Sequence, residues 1–382
     1  MTMAKGLLAI ASLFLLAMLA LWWMRPAPVE EEATRLSVMG ILAGEADLTG
    51  FARVEAPRAF EFPADHGPHP EYRHEWWYVT GNVKTAQGRH FGYQVTFFRF
   101  TLNPEPPARR SLWASNQLYM AHFAVTDTEG EEFHHFERFS RAALDLAGAQ
   151  AEPFRVWLDD WALYGAPDRE TLRVEAAQDG IGLTLRLRSR KPLVLQGDRG
   201  YSRKGPEAGN ASHYYSFTRL ATEGELRLGD AVFEVAGDSW LDREWGSSAL
   251  GEDQVGWDWF SLQLDDGREL MFFHLRRADG SIDPLSHGVL VEVDGRSRAL
   301  RYGEVEAEPL EYWSSPLGDG TRYPLRWRMR VPAEGLELEL IPRLHDQELR
   351  GAFRYWEGAL RVEGSANGEP VSGQGYMELT GY

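Results

Sequence analysis

The 382-residue chain contains no cysteine. Disulfides, thiol nucleophiles, thiolate zinc sites and iron–sulfur clusters are therefore excluded, and the redox compartment leaves no trace. Positive charge is scarce too. Forty Lys and Arg stand against 57 Asp and Glu, a formal net charge of −17, so an electrostatic grip on phosphate backbones is excluded and no nucleic-acid partner is expected. A Gly-x-Ser-x-Gly elbow and a glycine-rich phosphate loop are both missing, which leaves a serine-hydrolase or nucleotide-cofactor reading without a motif. No cofactor is expected. His66, His69 and His74 are spaced by three and five with no carboxylate framework around them, so they read as solvated loop histidines and no metal centre is expected. Helical periodicity is also rare; Arg141 to Gln150, after Ser140 as a cap, is the best short helix candidate.

Long apolar runs are limited to one. Gly6 to Met24, nineteen uncharged residues between Lys5 and Arg25, would reach roughly 28 Å as a helix, close to a bilayer core. The run ends in Trp22-Trp23-Met24-Arg25-Pro26, and Ala20 at a cleavage site would put Met18 where a small residue belongs. An interfacial Trp pair fits an uncleaved membrane anchor (residues 1–25) better than a cleaved signal. Glu30, Glu31 and Glu32 beyond Arg25 place the bulk of the chain outside, on the periplasmic side of a cell envelope. Residues 26–47 read as a short acidic tether.

From Phe60 onward the dominant signal is period two. Ile181, Leu183, Leu185 and Leu187 alternate with polar partners, as do Leu325, Trp327, Met329 and Val331 with Arg326, Arg328 and Arg330, and Leu336, Leu338 and Leu340 with Glu337 and Glu339. Gly229-Asp230, Asp266-Gly267, Asp279-Gly280 and Asp294-Gly295 supply hairpin turns. An all-β protein of antiparallel barrels or sandwiches follows. Glu75-Trp76-Trp77 leading to Gly88-Arg89 is echoed by Asp258-Trp259-Phe260 leading to Gly267-Arg268, which points to two β-domains, 48–222 and 223–382.

What is abundant is aromatic: 14 Trp, 14 Tyr and 19 Phe. The rings gather beside acids. On a strand, Trp76 and Tyr78 share one face and Glu75 and Trp77 the other; further on, Trp240, Asp242 and Glu244 share a face, with Arg243 and Trp245 opposite. His213 and Tyr215 share a face, with Tyr214 reversed. Each cluster alone also fits ordinary core packing. A carboxylic acid walled by Trp and Tyr loses hydration and holds its proton toward neutral pH, where it can act as a general acid. If the ligand is an alkene, indole and phenol faces would stabilise the resulting cation. Without a reactive acid, the same walls form a site for an apolar ligand.

His-Glu-Trp-Trp-Tyr-Val-Thr-Gly-Asn (74–82), Trp-Leu-Asp-Arg-Glu-Trp-Gly-Ser (240–247), Gly-Trp-Asp-Trp-Phe-Ser-Leu-Gln-Leu (256–264) and Gly-Tyr-Met-Glu-Leu-Thr-Gly-Tyr (375–382) resemble the AttH-type, carotenoid 1,2-hydratase-like family, whose bacterial members are often named predicted secreted hydrolases. The resemblance implies two tandem lipocalin-like β-barrel domains. On its hydratase branch it implies a His-x-aromatic pair and an aromatic-x-Asp pair with the Asp as proton donor; the matching positions are His213, Tyr215, Trp240 and Asp242. Glu75, Trp76, Trp77, Tyr78, Glu244, Trp245, Trp257 and Trp259 are the expected substrate-binding set. A lipophilic ligand is the expected partner, with hydro-lyase activity on a double bond; the alternative is a non-catalytic carrier or accessory of an exporter-type transporter. The hydrolase name has no motif behind it. Intact-mass analysis of the protein recovered from membranes should find Gly6 to Met24 still present; a mature chain beginning after Ala20 would make the segment a cleaved signal.

Overall fold

Period-two patterning becomes antiparallel sheet throughout. The computed structural model describes residues 48–382 except 107, 109–110, 112, 166–170, 249 and 252. The expected anchor and tether lie outside the described residues; within these, no helix is long and apolar enough to cross a membrane.

Among the described residues, one sheet comprises β1 (His74–Lys84), β2 (His90–Thr101), β3 (Gln117–Asp127), β4 (Glu132–Arg141), β5 (Ala147–Ala151), β6 (Phe154–Leu158), β7 (Trp161–Gly165), β8 (Thr171–Gln178), β9 (Ile181–Ser189), β10 (Val194–Leu195), β11 (Tyr201–Arg203), β12 (Ala211–Leu228) and β13 (Ala231–Gly246). The second comprises β14 (Gln254–Leu264), β15 (Glu269–Arg277), β16 (His287–Val291), β17 (Ser297–Arg301), β18 (Glu306–Ser314), β19 (Arg322–Val331), β20 (Leu336–Pro342), β21 (Glu348–Arg350), β22 (Arg354–Ala366) and β23 (Glu369–Leu379). Both are all-β and follow one plan. In each, the opening strand pairs antiparallel with its successor and with the closing strand: β1 lies between β2 and β13, and β14 between β15 and β23. The echo between the two aromatic–acid segments marks these equivalent opening hairpins.

Each sheet curls toward closure around its own core. In the first, Phe123 of β3 meets the Trp161 ring edge-on at 5.6 Å, and Arg138 of β4 donates to Gln178 at the end of β8, joining opposite margins. In the second, Phe260, Leu300 and Trp327 share one core. The expected inward residues are inside: Leu183, Leu185 and Leu187, and likewise Leu325, Met329, Val331, Leu338 and Leu340, are buried. Gly229, Gly267, Gly280 and Gly295 all take positive φ, as tight turns require.

Two expectations are corrected. The division at 222/223 falls inside β12; the chain leaves the first sheet after Gly246 and enters the second at Gln254. Gly224, which reads as a break, is a close approach instead, since a Cβ there would lie 2.2 Å from the Thr184 carbonyl oxygen. The helix expected over Arg141 to Gln150 is the end of β4, a turn and β5, because Leu144 and Asp145 take positive φ.

The outer faces of the two sheets are bolted together. Asn82 Nδ2 donates to Gly375 O (3.1 Å), Thr126 Oγ1 to Gln347 Oε1 (2.7 Å), and Gln263 Nε2 to Thr218 O and Ser239 O (2.8 and 3.0 Å). Gly92 allows this contact, because a Cβ there would stand 2.5 Å from Ala359 Cβ.

Inside the first sheet a buried ion cluster pins the entering chain. Glu75, fully buried, accepts from Arg99 and Arg243 and from the His69 backbone N–H. Arg99 also donates to His69 O (2.8 Å) and Tyr72 O (3.1 Å), and Arg243 to Gly67 O (2.5 Å) while stacking over Trp77. Removing one partner leaves an uncompensated buried charge. Arg243→Met should lower stability by about 3–5 kcal/mol in urea unfolding. Arg296→Met, which breaks the exposed pair with Asp294, should leave the midpoint unchanged.

Candidate functional site at the junction of the sheets

β1, β13 and β12 lie side by side, so their registers decide what meets what. Tyr78 stands opposite Asp242 and Trp76 opposite Glu244. Across the other ladder, Ser216 stands opposite Asp242 and Tyr214 opposite Glu244. Paired residues share a face, so Trp76, Tyr78, Tyr214, Ser216, Trp240, Asp242 and Glu244 all belong to the outer face turned toward the second sheet. That sheet answers with Trp257 and Trp259 of β14, Phe273 and Leu275 of β15, Tyr355 of β22 and Glu378 of β23. Together they enclose a cavity of about 850 Å³, its opening included.

Asp242 is the centre of its polar wall. Oδ1 accepts from Trp240 Nε1 (2.7 Å) and Ser216 Oγ (2.5 Å); Oδ2 accepts from Tyr214 OH (2.6 Å), which in turn accepts from Trp259 Nε1 (3.2 Å). All of these partners are neutral. Burial raises the Asp242 carboxyl to about 7, and the three hydrogen bonds only partly oppose it. Because an indole N–H can only donate, Trp240 fixes Oδ1 as an acceptor and leaves Oδ2, beside Tyr214, as the oxygen that carries the proton.

Two more acids face it. Glu357 and Glu378 are directly opposite one another on β22 and β23, with Trp259 the partner of Glu378 on β14. Glu378 accepts from Trp257 Nε1 (2.7 Å), and burial lifts its carboxyl to about 7. Glu357 accepts from Tyr78 OH and from Gln94 Nε2 (3.3 Å). Its carboxyl is pushed far above the usual range, first by burial and then by Glu378. Tyr355 OH bonds His122 Nδ1 (2.7 Å) and Gln94 Nε2 (3.1 Å). Lys204 is the cation of the cavity; it pairs with Glu244 (3.2 Å) and lies over the Phe273 ring (4.2 Å). Ser212 also donates to Glu244.

Several expected site residues fall elsewhere. Trp76, Tyr78, Asp242, Glu244, Trp257 and Trp259 line the cavity, and Trp240 bonds its acid. Glu75, Trp77, His213, Tyr215 and Trp245 lie on the opposite face of the same strands. The pleat thus separates His213 and Tyr215 from Asp242, and Tyr214 occupies the place beside the acid. His213 sits against Phe60 and Trp245 instead, where burial lowers its imidazole to about 4. The loop histidines are not solvated: His69 and His74 are buried, and His69 joins Asp65 (3.0 Å) and Glu75 while its ring stacks on Trp245. No group of three metal-ligating side chains occurs among the described residues. Sequence reasoning passed over Tyr214, Ser216, Lys204, His122, Tyr355, Glu357 and Glu378. Glu378 lay within the quoted 375–382 block and the Tyr214 signal was its alternation; neither reveals a site without the register of β12 on β13 and of β22 on β23.

Two near-closed antiparallel sheets holding an aromatic, acid-bearing cavity between their outer faces define the class. The sequence model described as AttH-like matches residues 53–382, and the chain belongs to the AttH-like family. A crystal structure assigned to AttH from Nitrosomonas europaea is similar over 87% of this chain and 100% of that one, at 38% identity and a TM-score of 0.75. Kievitone hydratase from Nectria haematococca shares the fold over 87% of this chain and 96% of its own (16% identity, TM-score 0.65), and CghA does so over the same shares at 15% identity and 0.52. A search of curated protein sequences gives no match.

The Asp242 carboxyl has a consequence for stability. Its folded-state pKa lies above the unfolded value, so the unfolded chain sheds this proton first as pH rises. The stability it contributes is intact below about pH 4 and lost as pH climbs to about 7. Asp242→Asn should therefore be more stable than the native protein at pH 8, by roughly 2 to 3 kcal/mol more than at pH 5, as read from denaturant unfolding at the two pH values.

Proposed function

We propose that the junction cavity binds a lipophilic molecule carrying a carbon–carbon double bond and catalyses its hydration, with Asp242 as general acid. The observation that carries the reading is a buried aspartic acid, half-protonated near pH 7, in the wall of an aromatic cavity and hydrogen-bonded only by neutral donors. A protein of the same fold is named kievitone hydratase, so this fold carries hydration chemistry in at least one case.

The step balances as follows. The protonated Asp242 gives its proton to one alkene carbon, directly or through the Tyr214 hydroxyl; the π pair forms the new C–H bond and leaves a carbocation on the other carbon. The faces of Trp76, Trp257 and Trp259 stabilise that charge. A water oxygen then bonds to the cation, and its surplus proton passes to the ionised carboxylate of Asp242 or to Glu378. His213 and Tyr215 take no part, since they face the interior of the first sheet. The N-terminal run would hold this cavity at the periplasmic face of a membrane, where lipophilic substrates collect.

Organic extraction of the purified full-length protein followed by mass spectrometry should identify a bound unsaturated lipophile. With that compound, Asp242→Asn should lower turnover by about 10²- to 10⁴-fold with its Kd little changed. Turnover equal to the native protein would reduce the cavity to a carrier's binding site, and extracts repeatedly free of any lipophile would remove both readings.

A further inference from the structure

A second cavity lies on the opposite face of β12 and β13, inside the curled first sheet. It measures about 2110 Å³ with its open mouth, and its walls include Trp77, Phe154, Leu172, Leu187, Phe217 and Leu241. Nothing in the hydration chemistry uses it. Its polar atoms are few and stand at two separate places.

The first is a histidine in an aromatic box. His66 Nδ1 meets Tyr215 OH at 2.7 Å, and the imidazole ring lies 4.7 to 6.1 Å from the rings of Phe62, Phe154 and Phe217. Burial lowers the imidazole to about 4 and pushes the phenol far up, so both are neutral at pH 7. Of the two acceptors near Tyr215 OH, His66 Nδ1 is closer than the Asp65 carbonyl oxygen at 3.4 Å. With Nδ1 accepting, the ring proton sits on Nε2, and no described residue accepts from it.

The second is Arg188 at the rim. It is exposed and lines the cavity, and among the described residues it has no acidic partner; Arg186, also exposed, precedes it on the same face of β9. In a chain of net charge −17, an unpaired guanidinium at the mouth of an apolar cavity is a specific exception. Arg188 stands opposite Ala221, six residues along β12 from Tyr215, so about 15 to 20 Å separates the two polar points at ~3.3 Å per residue.

We propose that this cavity is a second, separate binding site for a long-chain carboxylate oxygenated along its chain. The hydrocarbon lies against the Leu and Phe walls, the carboxylate pairs with Arg188, and a hydroxyl or keto oxygen accepts from His66 Nε2. An apolar channel with a cation at its mouth and one neutral donor within selects for that pattern.

Displacement of fluorescent cis-parinarate from the full-length protein by octadecanoate and by 12-hydroxyoctadecanoate tests it. The native protein should bind both and prefer the hydroxy acid. Arg188→Glu should weaken both at least about tenfold, a difference of about 1.4 kcal/mol. His66→Phe should erase the preference for the hydroxy acid while retaining the plain one, and Leu172→Trp, which fills the channel, should weaken both. Arg188 is exposed, so its variant folds; melting curves verify the other two. Absence of displacement from the native protein, or affinities unmoved by Arg188→Glu and Leu172→Trp, would overturn the proposal.

Discussion

A β-strand turns alternate side chains to opposite sides, and the function of this molecule depends on that alternation in β1, β13 and β12. The three strands form a partition with two faces. Toward the interior of the first sheet it presents Glu75, Trp77, Tyr215, Arg243 and Trp245; toward the second sheet it presents Trp76, Tyr78, Tyr214, Asp242 and Glu244. Neighbours in sequence therefore work in different chambers. A one-residue slip of any of these ladders would exchange the two sets, burying the guanidinium of Arg243 where the neutral donors belong.

The two faces solve the problem of a buried carboxyl in opposite ways. Burial pushes both Glu75 and Asp242 toward the neutral form. At Glu75, two guanidinium groups and His69 overcome it and keep the group ionised well below the usual carboxylate range. At Asp242 the partners are two hydroxyls and an indole, which carry no charge, so burial prevails and the proton stays to about pH 7. Glu75 consequently serves cohesion and Asp242 can serve chemistry. Glu357 and Glu378 extend the second solution across the cavity: two acids facing each other cannot both ionise cheaply, and their nearest donors are again an amide, a phenol and an indole.

Much of this was legible in the chain. The stripes at 181–187, 325–331 and 336–340 gave the strands, the Gly-containing dipeptides gave the turns, and the repeated acid–aromatic hairpin marked the start of each sheet. Asp242 was legible as an acid among rings. Its true companions were not, because period two says which residues share a face within one strand and is silent on which strand lies alongside and in what register. His213 and Tyr215 were grouped with Asp242 through their order in a family motif; the ladder between β12 and β13 brings Tyr214 and Ser216 to it instead. The histidines at 66, 69 and 74 misled for a related reason: a loop reads as solvated until something folds over it, and here Arg99 and Arg243 draw that loop inward.

The placement of β23 ties construction to competence. This strand sits in the middle of the second sheet, between β14 and β22, so until residues 369–379 dock, that sheet exists as two separate halves. The same segment brings Glu378 to the cavity, and Thr380 follows it. A partly assembled molecule thus has neither a closed second sheet nor a complete acid wall; the reactive chamber comes into being in the same event that makes the scaffold whole, which keeps a half-built cavity from meeting its ligand.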